Sequence, residues 1–356
     1  MSDVRVGVVG VGHLGVHHAR VYTEILGANL VGVVDIDEEK AHDVAENFGT
    51  TAYADLDKFL DETRPDALSI VVPTVSHFEV SRKAMERGVN LLIEKPVTAN
   101  IQQAEELLRV ASDRNLVLQV GHIERFNSAV QHVREMVHEP IFVQSRRVGP
   151  FSPRVSDVGV VLDLMIHDVD IILSLAHSEI VNISAMGRRV RTEHEDIASA
   201  QMFFDNGTIA HIMVSRLSEK RVRTLEITEP ERYLADAVSQ TPYTGYLRMI
   251  VNYETQDVTL HHCVQQKGRG LVEIVEHPVF PKREPLKLEL QDFIRCVRDG
   301  SEPLVGLRDG KRALEVCVEM LRQIHSNSGA RGKSETVSQN PQADELESQE
   351  TSENPS

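Results

Sequence analysis

Up to residue 121 the chain alternates short apolar runs with segments of helical periodicity. VRVGVVG (4–10), LVGVVD (30–35), ALSIVV (67–72), NLLIE (90–94) and LVLQVG (116–121) are apolar at successive positions, as strands buried on both faces are. The stretches 37–47, 76–87 and 100–114 between them carry apolar residues at helical spacing. Continuous apolar strands separated by helices predict a parallel, doubly wound sheet. After about His122 the pattern changes. Helix-like stretches at 126–137 and 160–175 lead into β-rich runs: IVNISAMG, IASAQMFF, TIAHIMVSRL and TLEITEPE. Asp205-Asn206-Gly207 sits between two of these runs and reads as a tight hairpin turn, because Asn and Gly tolerate positive φ. This predicts an antiparallel sheet. Segments 286–299 and 309–325 return to helical spacing. From Ser326 onward aliphatic residues almost vanish, so burial cannot offset the entropy of ordering, and 326–356 reads as a disordered tail. The expected fold class is α/β, with a first domain over 1–121 and a second over 122–325.

Composition narrows the partners. With 356 residues the chain can build two cores, and 41% hydrophobic and 26% charged residues are ordinary for a globular protein. A net charge of −16 argues against nucleic acid or an anionic membrane as the main partner, though local arginines can still hold a small anion. Cys263, Cys296 and Cys317 are odd in number and lack CxxC spacing, so neither a disulfide framework nor a cysteine zinc site is expected. No run approaches a membrane span and VRVGVV is too short for a signal peptide, so a soluble cytoplasmic protein is expected.

Gly10-Val11-Gly12-His13-Leu14-Gly15 fits G-x-G-x-x-G, and it follows an expected strand and opens an expected helix. Gly10 would allow the tight turn, Gly12 the approach of a pyrophosphate, and Gly15 the packing of helix on strand; the helix N-terminus would offer free N–H groups to phosphate. Asp35 ends the second strand, 20 positions after Gly15, where its carboxylate can accept from an adenosine ribose. It would repel a 2′-phosphate, and Ile36-Asp37-Glu38-Glu39 offers no arginine in compensation, so NAD is expected over NADP. A Rossmann nucleotide-binding domain follows. Ligands in such sheets lie beyond the carboxyl ends of the strands. Val72-Pro73-Thr74-Val75-Ser76-His77 and Glu94-Lys95-Pro96 occupy that edge, making Thr74, His77, Glu94 and Lys95 candidate cofactor neighbours beside His13 and Leu14.

The run GVVLDLMIHDVD (159–170) is apolar yet carries three aspartates and a histidine. Asp163 and His167 are four apart, hence neighbours on a regular helix. The spacing alone fits either a self-satisfied pair in a core or a proton-handling pair beside a substrate. A metal reading of Asp163, His167 and Asp168 lacks a third ligand set and makes a poor zinc site. GVGHLG, EKP at 94–96, GHIERF at 121–126 and D-x-x-x-H at 163–167 occur in an order that resembles the glucose-fructose oxidoreductase/inositol dehydrogenase (Gfo/Idh/MocA) family, over roughly 1–325. The resemblance implies a Rossmann domain joined to an α/β domain built on an open, mostly antiparallel sheet used for oligomerisation, with the terminal helices packing back on the first domain. It implies oxidation or reduction of a sugar or cyclitol hydroxyl. It also implies that Lys95, followed by a cis bond to Pro96, Asp163 and His167 form the catalytic set. Removing a hydride from a carbinol carbon also requires the hydroxyl proton to leave; His167 would be the base, Asp163 would orient it, and Lys95 would stabilise developing alkoxide charge. Asp168 and Asp170 have no assigned part, and Asp170 could cap or face solvent.

GHIERFNSAV and VGPFSPRVSDVGVVLDLMIHDVDIIL further resemble the subgroup acting on the 3-hydroxyl of UDP-N-acetylglucosamine, with Ser128 where that subgroup usually has proline. The resemblance implies a nucleotide-sugar substrate, contacts from Arg125, Phe126 and Arg154 as well as Asp163 and His167, and a 3-keto product passed to a partner aminotransferase for lipid A or another surface glycan. Arg125, Arg146, Arg147 and Arg154 flank the expected cleft and could hold a diphosphate. Alternatives are another sugar or inositol dehydrogenase, a UDP-N-acetylglucosaminuronate 3-dehydrogenase, and a non-catalytic NAD(H)-binding regulator. A broad antiparallel face covered by few helices must be buried somewhere, so a homodimer or homotetramer is expected.

Overall fold

The computed structural model describes residues 2–152, 158–231, 245–266 and 270–331. Its first sheet is wholly parallel and contains β1 (Val4–Val9), β2 (Ala28–Val34), β3 (Ala52–Tyr53), β4 (Ala67–Ile70), β5 (Asn90–Glu94) and β6 (Leu118–Gly121), in the order β3-β2-β1-β4-β5-β6. Helices α1 (Gly15–Glu24), α2 (Glu38–Phe48), α3 (Leu56–Thr63), α4 (Thr74–Glu86) and α5 (Ile101–Arg114) connect the strands. Asp37, Asp55 and Asn100 cap α2, α3 and α5 by accepting from the amides three residues on, which satisfies donors the helix leaves free. The expected strands and helices are present. β3 and α3 are additional, being too short to leave a periodic signal. Strand order reverses at β1, so the loops after β1, β4 and β5 gather at one carboxyl edge.

The second sheet has the order β14-β13-β12-β11-β7-β10-β9-β8 among the described residues. Its strands are β7 (Phe142–Val148), β8 (Ile180–Arg188), β9 (Ile197–Phe204), β10 (Ile209–Ser215), β11 (Val222–Pro230), β12 (Gly245–Asn252), β13 (Asp257–Gln266) and β14 (Gly270–Glu276). Every pairing is antiparallel except β7 with β10. Gly207, with φ of 89°, closes the β9–β10 hairpin where the sequence placed it. One face packs on α6 (Ser128–Met136) and α7 (Ile166–Ala176), burying Val143, Met202, Ile212, Leu225 and Ile227 against Val130, Ile166, Val169 and Ile172. The opposite face presents Gln144, Arg146, Gln201 and Met186 to solvent.

The two terminal helices tie the sheets together. α8 (Pro285–Asp299) packs Leu286, Leu290, Phe293 and Ile294 against Val4, Val6, Tyr22 and Ile25 of the first domain. α9 (Leu307–Arg331) places Leu307 and Leu314 in the first domain's core and Ala313, Met320 and Ile324 in the second. The helix continues past Ser326, the expected start of the tail. The reason is local: extending an anchored helix costs far less than nucleating one, Ser326 Oγ donates to Arg322 O at 2.8 Å, and Asn327 Nδ2 reaches Ala185 O at 3.4 Å. Residues 332–356 lie outside the described residues. Cys263, Cys296 and Cys317 are free and buried.

Candidate active site

The glycine-rich loop between β1 and α1 has the shape a pyrophosphate requires. Gly10 has φ of 88°, and a Cβ there would stand 2.6 Å from Val71 O; a Cβ on Gly15 would lie 1.9 Å from Gly10 O. A Cβ on Gly12 would meet nothing within 4 Å, so the backbone is open on that side. The amides of Gly12, His13 and Leu14 make no hydrogen bond among the described residues, and α1 begins directly behind them. His13 and Leu14 are exposed. Asp35 accepts from Val11 N at 2.8 Å and Asp37 N at 3.0 Å, which fixes its carboxylate beside the loop with lone pairs to spare for a ribose. These residues fit NAD.

Two of the expected cofactor neighbours lie deeper. Thr74 begins α4 and is half-buried, but His77 is buried, with Nδ1 2.9 Å from Pro96 O and Nε2 2.9 Å from Val72 O. Burial pushes its pKa down, and the neutral ring donates to one carbonyl at a time while tying the β4 loop to Pro96. Glu94 is also buried; Oε1 lies 3.2 Å from His18 Nε2 and Oε2 accepts from Lys95 N at 3.3 Å. Burial would raise its pKa, and the His18 contact brings it below the ordinary value. A Cβ on Gly121 would come within 2.8 Å of that carboxyl, so a glycine is needed there.

Above Glu94, Lys95 reaches across to the second domain. The Lys95–Pro96 bond is cis. Lys95 Nζ donates to Asp163 O at 2.7 Å and to Asp163 Oδ1 at 3.3 Å. Asp163 lies in a π-helical turn, Val161–Met165, that leads into α7. The turn is anchored at its start by Glu195, whose Oε1 accepts from Val161 N and whose carbonyl accepts from Val160 N, both at 3.0 Å. Gly159 makes room for Glu195, since a Cβ there would stand 1.9 Å from Oε1. His167 and Asp163 both line a cavity of about 290 Å³. No hydrogen bond joins them: the Asp163 carboxylate is taken by Lys95, and His167 Nδ1 is buried without a partner. This corrects the expectation that Asp163 orients His167. Burial depresses the His167 pKa well below its ordinary value, and Lys95, Arg147, His122 and Arg223 add to the effect.

The other aspartates of the run are interior. Asp170 binds Arg125 through Nε at 2.6 Å and Nη2 at 3.1 Å. Asp168 binds Arg147 at 2.9 and 3.2 Å and accepts from Tyr253 Oη at 3.2 Å. Asp170 therefore neither caps nor faces solvent. Arg125 is buried in its ion pair and Phe126 is 2% exposed in the first domain's core, so neither reaches the cavity. Arg146 points to the sheet's far face. Arg154 lies outside the described residues. Of the four arginines expected at the cleft, Arg147 lines the cavity, already held by Asp168 and by Glu124 at 2.8 Å.

Sequence similarity divides where the fold divides. Residues 4–122 match a family model described as an oxidoreductase family with an NAD-binding Rossmann fold, and residues 120–229 match the GFO/IDH/MocA C-terminal domain. The chain belongs to the GFO/IDH/MocA oxidoreductase family. It is an NAD-dependent oxidoreductase. A UDP-N-acetylglucosamine 3-dehydrogenase from Acidithiobacillus ferrooxidans is 36% identical over 299 residues, covering 83% of this chain and 90% of that one. A solved structure of the Acidithiobacillus ferrooxidans UDP-N-acetylglucosamine 3-dehydrogenase aligns with a TM-score of 0.80 at 32% identity, covering 92% of this chain and 99% of that one. A scyllo-inositol 2-dehydrogenase (NAD(+)) of Bacillus subtilis is 29% identical, covering 88% of this chain and 92% of that one.

In this GFO/IDH/MocA chain the cavity also holds residues that sequence reasoning passed over. Arg216, Arg221 and Arg223 line it with Ser152 and Ser215. Arg216 binds Asp196 at 2.7 Å and Thr192 Oγ1 at 2.7 Å. Burial would push the Asp196 pKa up, but the amides of Arg191, Val190 and Thr192, with Arg216, hold it well below the carboxylate range. The signal was present as RLSEKRVR (216–223), a basic cluster directly after an apolar strand. His122 lies behind His167, its ring centroid 6.5 Å away and nearly perpendicular, and neither of its buried nitrogens has a partner.

Proposed function

We propose that this enzyme oxidises the 3-hydroxyl of UDP-N-acetylglucosamine, giving the 3-keto nucleotide sugar. The observation that carries the reading is that Asp163 and His167 line one cavity at the carboxyl edge of the NAD-binding sheet and that Lys95 binds Asp163 there. The relative from Acidithiobacillus ferrooxidans, aligned along most of both chains, supports the choice of sugar. NAD, when bound, accepts the hydride. The protein's part is to manage the proton and the charge. His167, neutral and with Nδ1 buried, is left with Nε2 to take the hydroxyl proton. Lys95 donates toward the oxygen as negative charge grows on it, and Asp163 holds the Lys95 ammonium in place. Asp168 and Asp170 act through the fold, pinning α7 to Arg147 and Arg125. A keto group next to an acetamido carbon is the substrate an aminotransferase needs, so such a partner downstream belongs to the reading, as does a cytoplasmic setting where NAD and nucleotide sugars occur.

The test is nicotinamide reduction with a panel of UDP-N-acetylglucosamine, UDP-N-acetylglucosaminuronate, free sugars and inositols. The expected result is the highest kcat/KM with UDP-N-acetylglucosamine, with His167→Ala and Lys95→Ala each losing about 10²-fold or more in turnover at unchanged NAD affinity. Turnover confined to inositols would replace the substrate. Unimpaired turnover in His167→Ala would sink the mechanism, and no reduction of NAD with any substrate would favour a regulator.

A further inference from the structure

We infer that the β11 side of the cavity is a diphosphate-binding site formed by Arg223 and Arg221, an inference that rests on the nucleotide-sugar reading. The register of β7 with β11 sets Arg223 directly opposite Arg147. Guanidinium groups facing each other across an antiparallel pair repel. Arg147 is neutralised by Asp168 and Glu124, and Arg216 by Asp196. Arg221 stands 3.7 Å from Glu254. The Arg223 side chain has neither an ion pair nor a hydrogen bond among the described residues, although it is half-buried on the helix-covered side of the sheet. Burial lowers its pKa and Arg147 and Arg221 lower it further, while Glu124 and Glu254 offset only part of this, so the nearby carboxylates leave its charge incompletely balanced. Holding such a group beside three other arginines is costly unless an anion completes the cluster.

The position of the surplus charge identifies the anion. Asp163 is matched by Lys95, so the uncompensated cation of the cavity lies on β11. Arg221, just before β11, and Arg223, in its second position, both line the cavity. Two forked donors in one cavity suit two linked phosphates, each able to accept bidentately, while the sugar extends toward His167. A single carboxylate on the sugar would engage one guanidinium only.

The experiment uses the full chain saturated with NADH, so that the dinucleotide site is filled, and calorimetric titration with UDP, UMP, uridine and glucuronate. Wild type should bind UDP more tightly than UMP, and binding should weaken as salt rises. Arg223→Gln should lose about tenfold or more in UDP affinity, the usual scale for a charge-assisted pair, and Arg221→Gln somewhat less, with NADH affinity and melting temperature kept. Arg146→Gln, on the far face of the sheet, should leave UDP affinity unchanged. The inference is overturned if wild type does not bind UDP, if both cavity variants bind it like wild type, or if Arg223→Gln loses glucuronate while keeping UDP. Arginine-dependent UDP binding without turnover of UDP-N-acetylglucosamine would instead overturn the proposed reaction and leave the diphosphate site standing.

Discussion

At the scale of single residues, the proposed role of His167 as base sets how activity should respond to pH. Burial and then the cations around it push its pKa well below the ordinary 6.5, so the ring is neutral throughout the neutral range. A general base works unprotonated, so activity should persist as pH falls through 6.5 and fail only below it. The acid limb of a kcat/KM profile should lie under pH 6.5, and Arg223→Gln, which removes one depressing charge, should move that limb upward. A wild-type limb at or above 6.5 would assign the base elsewhere. That Lys95, Asp163 and His167 come near one another was legible in the sequence, but their bonding was not. Four-residue spacing pairs Asp163 with His167 on a regular helix, while a lysine from the other domain claims the aspartate. For the same reason Arg125 and Arg147 read as ligand contacts. A buried aspartate must find a cation, and the chain order of Asp168 and Asp170 does not say which arginine will arrive.

Among elements, the π turn before α7 carries the site, and its placement depends on one glycine. Glu195 holds the amide of Val161 only because Gly159 leaves space for its carboxylate. Gly159→Ala should force Glu195 or the turn to shift, costing about 1–3 kcal/mol as overpacking does. Turnover should fall with it, because Asp163 and His167 ride on the displaced segment, while NAD affinity should hold. Melting temperature and turnover measured together check this, and an unchanged variant would show that Glu195 does not set the turn. Strands buried on both faces were readable because most of their positions are apolar, with isolated exceptions such as Arg5, Ser69 and Gln119. Those of the second sheet were readable only in part. β7 and β12 alternate inward Val143 or Leu247 with outward Gln144 or Arg248, and a charged half hides a strand of seven or eight residues.

At the scale of the whole molecule, the open face of the second sheet has no part in the candidate site. Register places Met186, Ser199, Met213, Arg146, Thr224 and Asn252 in one row across six strands, and Ser184, Gln201, His211, Gln144, Glu226 and Ile250 in the next. The face is mostly polar, but Met186, 67% exposed, adds with Met213 and Ile250 apolar surface of the kind an interface covers. A second copy offers the same rows in reverse, so a two-fold pairing can set Met and Ile against each other and Arg146 near Glu226 of the other copy. We expect a homodimer, or a homotetramer made from it, assembled through this face. Ile250→Asp adds a carboxylate beside Glu226 without touching the helix-covered core, and it should weaken assembly while leaving the NAD loop and the melting of an isolated protomer nearly intact. Sedimentation at micromolar concentration checks both parts: wild type should run above the mass of one chain and the variant should shift toward it. A wild-type monomer, or a variant that assembles as tightly as wild type, would place the interface elsewhere.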